Sequence, residues 1–270
     1  MTQINLKGYH AFITGGSSGF GYEMARTLLS RGATVVIAAR GGEKLDRAYT
    51  TLKDEGFDVY AQPLDVRDEV SVDNAAKWYS EKFDRLDMLV NNAGIGMTDA
   101  NKGSREHPTP FYEIDTKAFY DIVNTNFVGY FLVARAFVPI ILRTGKGSVV
   151  NVSTSIRTMT AAGQLPYGPA RAGAEAMSTI MANELKDKAV TVNILLPGGA
   201  ANTGFVTDEM RESMNIDMLL PASILNEPIL FLASERAEGM TNERIIGREF
   251  KQWLEEKSIT DWEYEEFISE

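Results

Sequence analysis

The sequence predicts an α/β protein in which a doubly wound parallel sheet of about seven strands carries helices on both faces. Short runs rich in β-branched and aromatic residues alternate with amphipathic helical patterns along most of the chain. A glycine-rich loop follows the first of these runs and leads into the first helical pattern. The chain has 270 residues, 44% of them hydrophobic, and no Pro/Gly/Ser-rich linker divides it. We therefore expect a single domain.

The first half of the chain supplies four strands and three helices. The strand runs are "YHAFIT", "TVVIAA", "DVYAQPL" and "DMLVNN", and the helical patterns between them cover 20–31, 43–55 and 68–83. A helix between each pair of strands is typical of βαβ units, which build a parallel sheet covered on both faces.

The second half continues this alternation. In chain order we expect a long helix near 115–143, the strand "GSVVNVS", a helix near 168–187, the strand "VTVNILL", a helix at 222–234 and a last strand in "RIIGREF".

Two regions lie outside the alternation, a polar insertion at about 97–111 and an acidic, aromatic tail. We assign residues 1–250 to the domain and 251–270 to a C-terminal extension. The tail contains many large apolar side chains, so we expect it to dock on its own domain or on a neighbouring subunit.

Charge and composition exclude several classes of function. A formal net charge of −10 argues against a nucleic-acid partner and favours small molecules. The start of the chain shows no signal peptide, so we expect a cytoplasmic protein. The most apolar region, 127–142, is interrupted by Arg135 and Pro139, which indicates a buried helix and no membrane partner. With no cysteine and only two histidines, we expect no metal site and no Ser/His/Asp triad.

The loop "ITGGSSGFG" predicts a phosphate-binding turn. Its glycines, Gly15, Gly19 and Gly21, follow the first strand with the spacing G-x-x-x-G-x-G. Glycine lets the backbone approach a phosphate closely, and the following helix offers free N–H groups at its N-terminus. No Lys-Ser/Thr pair follows, so a nucleoside-triphosphate loop is disfavoured and a diphosphate is the expected ligand.

The end of the second strand bears on the choice of cofactor. A protein that selects the unphosphorylated dinucleotide usually places an acid there, whereas this chain has Ala39 followed by Arg40. Arginine can bind a 2′-phosphate, so we expect NADP (NADPH) to be preferred, with NAD as the alternative. A merely solvated arginine would look the same in the sequence.

The stretch "YGPAR" places Tyr167 and Arg171 on one face of a helix whose first turn contains Pro169. A permanent cation beside a phenol favours the ionised form, but such a pair is also common by chance in helices.

Four features together settle how these motifs are interpreted. The glycine loop, "LDV" at 64–66, "NNAG" at 91–94, and "YGPAR" after "NVSTS" occur in one order over about residues 5–235. In this the chain resembles the short-chain dehydrogenase/reductase family, which implies a Rossmann-type fold, oxidoreductase activity on a small-molecule carbonyl or alcohol, and a homotetramer or homodimer built on the helices around 115–143 and 168–187.

The resemblance also implies roles for particular residues. Asp65 and Val66 would border the adenine, and Asn126 of "NTNFVGYF" would support a proton relay. The residues that would contact the cofactor are Gly15, Ser17, Ser18, Gly19, Phe20, Gly21, Arg40, Asp65, Val66, Asn92, Ala93, Gly94, Tyr167, Arg171, Pro197, Gly198, Ala200 and Thr203.

The chain departs from the family pattern at two positions. Counting thirteen residues back from Tyr167 gives Thr154 where the family has serine, which keeps the hydroxyl; Ser153 and Ser155 are the alternatives. Counting four forward gives Arg171 where the family has lysine. Arginine can favour the ionised tyrosine, but it is bulkier and cannot itself pass a proton.

Two functions therefore compete. The first is an NADP-dependent reductase with Tyr167 as acid/base, Thr154 polarising the carbonyl, and Arg171 and Asn126 in support. The second is a dinucleotide-binding sensor or scaffold with little turnover, favoured by the loss of the lysine.

The substrate itself is not identified. The segment 198–223 would supply the substrate-side loop, where Met210, Met214 and Met218 are best explained as packing of a lid helix. Arg105, His107 and Arg157 could meet an anionic substrate group, although we expect them to be solvated.

Overall fold

The computed structural model describes residues 4–98, 100, 101, 103, 107–203 and 219–262. Within them, seven parallel strands form one sheet in the order β3-β2-β1-β4-β5-β6-β7. The predicted Rossmann-type α/β fold is confirmed. The strand order reverses between β1 and β4, which is where folds of this kind bind ligands.

The strands agree closely with the sequence runs, apart from the last. They are β1 (His10–Thr14), β2 (Thr34–Ala39), β3 (Val59–Pro63), β4 (Met88–Asn91), β5 (Gly147–Val152), β6 (Val190–Leu196) and β7 (Arg244–Ile246). The last strand was expected within the run "RIIGREF"; β7 occupies its first three residues, and a 3₁₀ turn follows at Gly247–Glu249.

The helices of the described chain cover both faces of the sheet. They are α1 (Gly19–Ser30), α2 (Glu43–Asp54), α3 (Glu69–Lys82), α4 (Thr116–Val123), α5 (Gly129–Thr144), α6 (Ile156–Thr160), α7 (Tyr167–Leu185), α8 (Asn226–Ala233) and α9 (Phe250–Glu256). The short helix α6 was not predicted from the sequence.

Two apolar cores lie against opposite faces of the sheet. Neighbouring residues of one strand belong to different cores: Phe12 and Val36 pack on the side of α5, whereas Ile13 and Ile37 pack on the side of α1 and α8. Side chains alternate between the faces of a strand, so a sheet buried on both faces needs unbroken apolar strands. This explains why the runs of β1 and β2 are apolar over most of their length.

The long helix expected near 115–143 is interrupted. A π turn at Asn124–Val128 separates α4 from α5. Across this turn the helix Thr116–Thr144 is long and apolar enough to cross a membrane, but 56% of its most apolar window is buried inside the fold. A core helix of a soluble protein has the same features, in keeping with the buried helix expected here.

The C-terminal tail docks on its own domain as far as it is described. Leu254 of α9 is buried in the core beneath α8, and Trp253, Ile259 and Trp262 pack against that core. The Trp262 ring meets Phe231 edge-on at 5.1 Å between centroids. Residues 263–270 lie outside the described chain, and the division between domain and extension at residue 250 stays a prediction.

Candidate active site

The loops marked by the sequence motifs meet at one edge of the sheet. Because every strand pairing is parallel, the turns after β1, β2, β3, β4, β5 and β6 all emerge at the carboxyl ends of the strands. This edge is the ligand-binding side of such sheets.

The glycine loop has the geometry of an anion cradle. Gly15 (φ 67°) and Gly19 (φ 54°) adopt left-handed backbone conformations, which favour glycine. Ser18 caps α1 in an extended conformation, but its side chain accepts no hydrogen bond from the first turn. The N-terminus of α1 is therefore suited to an external acceptor such as a diphosphate.

The loop after β4 holds the glycine loop in place. Asn92 donates from Nδ2 to the carbonyl of Thr14 at 2.9 Å, and the Thr14 hydroxyl accepts from the backbone N–H groups of Asn92 and Ala93 at 3.0 and 3.1 Å. A Cβ at Gly21 would overlap the Gly15 carbonyl and the Asn92 amide. Gly21 and Asn92 thus shape the cradle, in addition to any contact with a ligand.

The loop after β6 reaches the same cradle. A Cβ on Gly19 would lie 3.2 Å from Cβ of Thr203, which is itself buried. Pro197 accepts a hydrogen bond from the Arg248 backbone, and Ala200 pairs with the backbone of Leu220. The methionine stripe and the remainder of the expected lid, residues 204–218, lie outside the described residues.

The ends of β2 and β3 carry charged side chains. Asp65 forms an ion pair with Arg67 at 2.7 Å, and Arg67 forms a second ion pair with Asp121 at 3.1 Å. The hydrogen bonds from Arg67 lower the pKa of Asp65, and the Arg40 charge acts in the same direction. Arg40 is exposed and forms no ion pair with any described residue. Val66, beside Asp65, is buried.

Asn126 explains the π turn. Its fully buried side chain accepts from the Ile95 N–H at 2.9 Å and donates to the Ile95 carbonyl at 2.8 Å. A π turn of this kind often occurs at functional sites. Here it directs the Asn126 amide onto the loop after β4, which ties α5 to the candidate cofactor loop.

Tyr167 and Arg171 begin α7 together, as predicted. The helix starts at Tyr167 with Pro169 in its first turn. The Cζ atom of Arg171 lies 5.5 Å from the centroid of the Tyr167 ring. Tyr167 is half-buried, whereas Arg171 is only 3% exposed.

Arg171 has a partner that the sequence did not reveal. Its Nη1 atom donates to the Tyr130 hydroxyl at 2.5 Å and to the Val152 carbonyl at 2.9 Å. Burial alone would lower the pKa of Arg171, but the nearby phenols of Tyr130 and Tyr167 raise it. Burial raises the pKa of Tyr130, against the influence of Arg171. The one signal in the sequence is that Tyr130 follows Asn126 by four residues.

The hydroxyl groups after β5 have different environments. Ser155 caps α6 by accepting from the Thr158 N–H at 3.1 Å, and the buried Ser153 hydroxyl has no partner among the described residues. The Thr154 carbonyl accepts from Arg244 at 2.9 Å, and Arg244 pairs with Glu175 at 3.0 Å. Arg244 and Glu175 hold this loop and were not identified from the sequence.

The described residues of the polar insertion pack beside Tyr167. Asn101 donates to the Gly163 carbonyl at 3.2 Å and accepts from the Thr109 N–H at 2.9 Å, which joins the insertion to the loop before α7. Ala100 is buried in a small apolar cluster against which Met97 and Tyr167 pack. Arg105 lies outside the described residues, and Arg157 is exposed on α6.

Among the residues that the structure describes, no cluster of His, Asp or Glu side chains could hold a metal ion.

Comparison with known proteins shows that the chain is similar to a large group of dehydrogenases and reductases. The family model described as short chain dehydrogenase matches residues 9–213. The chain is 30% identical over 256 residues to a 3-oxoacyl-(acyl-carrier-protein) reductase of Vibrio harveyi, covering 90% of this chain and 96% of the relative. It is 32% identical over 244 residues to a 2,5-dichloro-2,5-cyclohexadiene-1,4-diol dehydrogenase of Sphingobium indicum, covering 87% and 93%.

Solved structures agree on the fold. A short chain dehydrogenase from Shigella flexneri, crystallised with NADP, superimposes with a TM-score of 0.81 at 23% identity, covering 92% of this chain and 100% of that one.

Proposed function

The chain belongs to the short chain dehydrogenase family of oxidoreductases, and on this premise we propose that it is an NADP-dependent reductase of a small carbonyl compound. Tyr167 gives a proton to the carbonyl oxygen of the substrate, and Thr154 donates a hydrogen bond to that oxygen. Asn126 supports proton delivery behind them.

The observation that carries this proposal is the uncompensated charge of Arg171. The guanidinium is buried, and within the described chain it makes no ion pair with a carboxylate. A buried cation is costly without an anion nearby. When Tyr167 gives up its proton, the resulting phenolate lies beside this cation and is stabilised by it.

The two phenols next to Arg171 have different roles. Tyr130 is buried and its hydroxyl donates to the Val152 carbonyl at 3.0 Å, so it needs to keep its proton. Tyr167 is half-buried and packs beside described residues of the insertion, where a substrate can reach it. Tyr167 is therefore the proton donor.

The residues of the cradle fit a dinucleotide. Gly15, Gly19 and the N-terminus of α1 would hold the diphosphate, and Asp65 with Val66 would border the adenine. Arg40, free of ion pairs in the described chain, would bind the 2′-phosphate, which supports NADP over NAD. When bound, the cofactor supplies the hydride.

The competing function is a dinucleotide-binding sensor or scaffold with little turnover. The observation in its favour is Arg171, whose Nη1 atom is fully engaged by Tyr130 and Val152. The retention of Tyr167 and Thr154, which a binding protein does not need, favours the enzyme.

We propose a homo-oligomer that buries the outer faces of α4, α5 and α7. The helix pair exposes Tyr120, Phe131 and Leu142, and α7 exposes Ile180. Exposed large apolar side chains on adjoining helices support an interface between copies of this chain. Sedimentation of the purified protein tests for a tetramer or dimer. A cytoplasmic location stays a prediction.

The decisive experiment is a turnover assay of the purified protein. NADPH and NADH are each tested with a panel of ketones and aldehydes, and NADP with the matching alcohols. We expect substrate-dependent oxidation of NADPH. Tight binding of NADPH without turnover on any member of the panel would favour the sensor or scaffold.

A further inference from the structure

We propose that Tyr130 is a positioning residue of this site: its hydroxyl fixes the Arg171 guanidinium so that the Nη2 edge faces the cofactor loop and the charge stays beside Tyr167. The inference rests on the proposed function, because it concerns the same site, but it adds a residue that none of the sequence motifs includes.

The contacts form a closed triangle. Arg171 Nη1 donates to the Tyr130 hydroxyl at 2.5 Å and to the Val152 carbonyl at 2.9 Å, and the Tyr130 hydroxyl donates to the same carbonyl at 3.0 Å. These contacts use both hydrogens of Nη1. They join α7, α5 and the end of β5, two residues before Thr154.

The triangle determines where the rest of the guanidinium lies. With Nη1 held, Nη2 lies against the loop after β4, since a Cβ on Gly94 would overlap it. The same added Cβ would come within 3.0 Å of Asn126 Oδ1. The guanidinium is planar, so fixing one edge fixes the other. Gly94 is one of the residues expected to line the cofactor.

Tyr130 is suited to this role because it stays neutral. It is 1% exposed, and burial raises its pKa. Its proton is committed to the Val152 carbonyl, while its oxygen accepts from Arg171. In the described chain, the ionisable groups that act on Arg171 are Tyr130 of α5 and Tyr167 of α7. Tyr130 can thus hold the cation without neutralising it.

The test compares Tyr130→Phe with Tyr79→Phe. Tyr79 is also fully buried, and its hydroxyl donates to the Arg85 carbonyl at 2.9 Å, but it belongs to α3 and makes no hydrogen bond with Arg171. Each variant loses one buried hydroxyl bonded to a backbone carbonyl. Only Tyr130→Phe releases Arg171.

Two readouts are measured: the dissociation constant of NADPH, and the pH dependence of kcat with a carbonyl substrate at saturating NADPH. We expect Tyr130→Phe to weaken NADPH binding by about three- to tenfold, the effect of one hydrogen bond. The alkaline limb of the rate profile should move to higher pH by roughly one unit. The reason is that an Arg171 guanidinium that moves away from Tyr167 stabilises the Tyr167 phenolate less. Tyr79→Phe should change neither readout.

If the two variants behave equally in both readouts, the proposal is overturned, and the Tyr130 hydroxyl has only a structural role. If the parent protein shows no turnover, the proposed function fails, and the NADPH dissociation constants still decide the role of Tyr130. Should Tyr130→Phe fail to fold, 3-fluorotyrosine placed at position 130 keeps the hydroxyl as a weaker acceptor. It should then produce smaller changes in the same directions, and unchanged values would overturn the proposal.

Discussion

The guanidinium carbon of Arg171 lies 5.5 Å from the centre of the Tyr167 ring, on the first turns of one helix. The cation is buried and the phenol is half-buried. Arg171 therefore keeps a positive charge beside the tyrosine, at the position where the family resemblance implies a lysine, although much of its hydrogen bonding is directed to Tyr130 and Val152.

Replacement of Arg171 tests whether its positive charge assists proton transfer from Tyr167. Arg171→Ala should lower kcat of carbonyl reduction by roughly a hundredfold or more, because the phenolate left by proton transfer loses its counter-charge. Arg171→Lys should preserve or raise kcat, since it restores an ammonium of the family type. Steady-state oxidation of NADPH measures both. An inactive parent that becomes active only as Arg171→Lys would identify a binding protein that has lost its chemistry.

Removal of the Tyr167 hydroxyl tests the proton donor. Tyr167→Phe should lower kcat by about 10²–10⁴, the usual cost of deleting a general acid. The dissociation constant of NADPH, measured by fluorescence titration, should stay nearly unchanged. Tyr112→Phe is the control, because Tyr112 is 74% exposed. Full activity of Tyr167→Phe would refute the mechanism.

Substitution of Arg40 tests the preference for NADPH. Loss of a charge-assisted contact to the 2′-phosphate costs roughly 1.5–3 kcal/mol, or about ten- to a hundredfold in affinity. Arg40→Ala should therefore weaken NADPH binding by that factor and leave NADH binding unchanged. Arg47→Ala, at a side chain that is 75% exposed on α2, is the matched control. Equal affinities of the parent protein for NADPH and NADH would contradict this prediction.

The sequence predicted the layers of the fold well because its strongest signals are local. The apolar strand runs and the periodic apolar residues of the helices both result from burial against the two faces of the sheet. The strand β6, for example, agrees with its sequence run at both ends. The π turn at Asn124–Val128 could not be predicted this way, because it depends on bonds between Asn126 and the distant backbone of Ile95.

The same limit applies to the candidate site. Tyr167 and Arg171 are close in sequence, so helical spacing was enough to place them together. Tyr130 contacts Arg171 across 41 positions of the chain, and Arg244 reaches the Thr154 carbonyl across 90. In the sequence, neither residue can be distinguished from an ordinary core or surface residue. Only the folded structure shows that both reach the site.

Removal of the Trp262 side chain tests the docked tail. Trp262 packs on Phe231 and donates from Nε1 to Glu227 at 2.8 Å. Trp262→Ala should lower the free energy of unfolding by about 2 kcal/mol, less than for a fully buried tryptophan, with little effect on kcat. Urea unfolding provides the measurement. Tyr112→Ala, at an exposed aromatic, should cost far less.

The loss should also depend on pH. Burial raises the pKa of Glu227, and the Trp262 N–H opposes this rise. A carboxyl whose pKa is raised on folding stabilises the protein below its unfolded pKa and loses that contribution as pH rises through the folded value. The Trp262 bond helps the ionised form, so Trp262→Ala should cost more stability at pH 8 than at pH 4.5. An equal loss at both pH values would contradict the role of the Trp262–Glu227 bond in this dependence. Proteolytic removal of the chain after residue 251 at no cost in stability would show that the tail does not contribute to the fold.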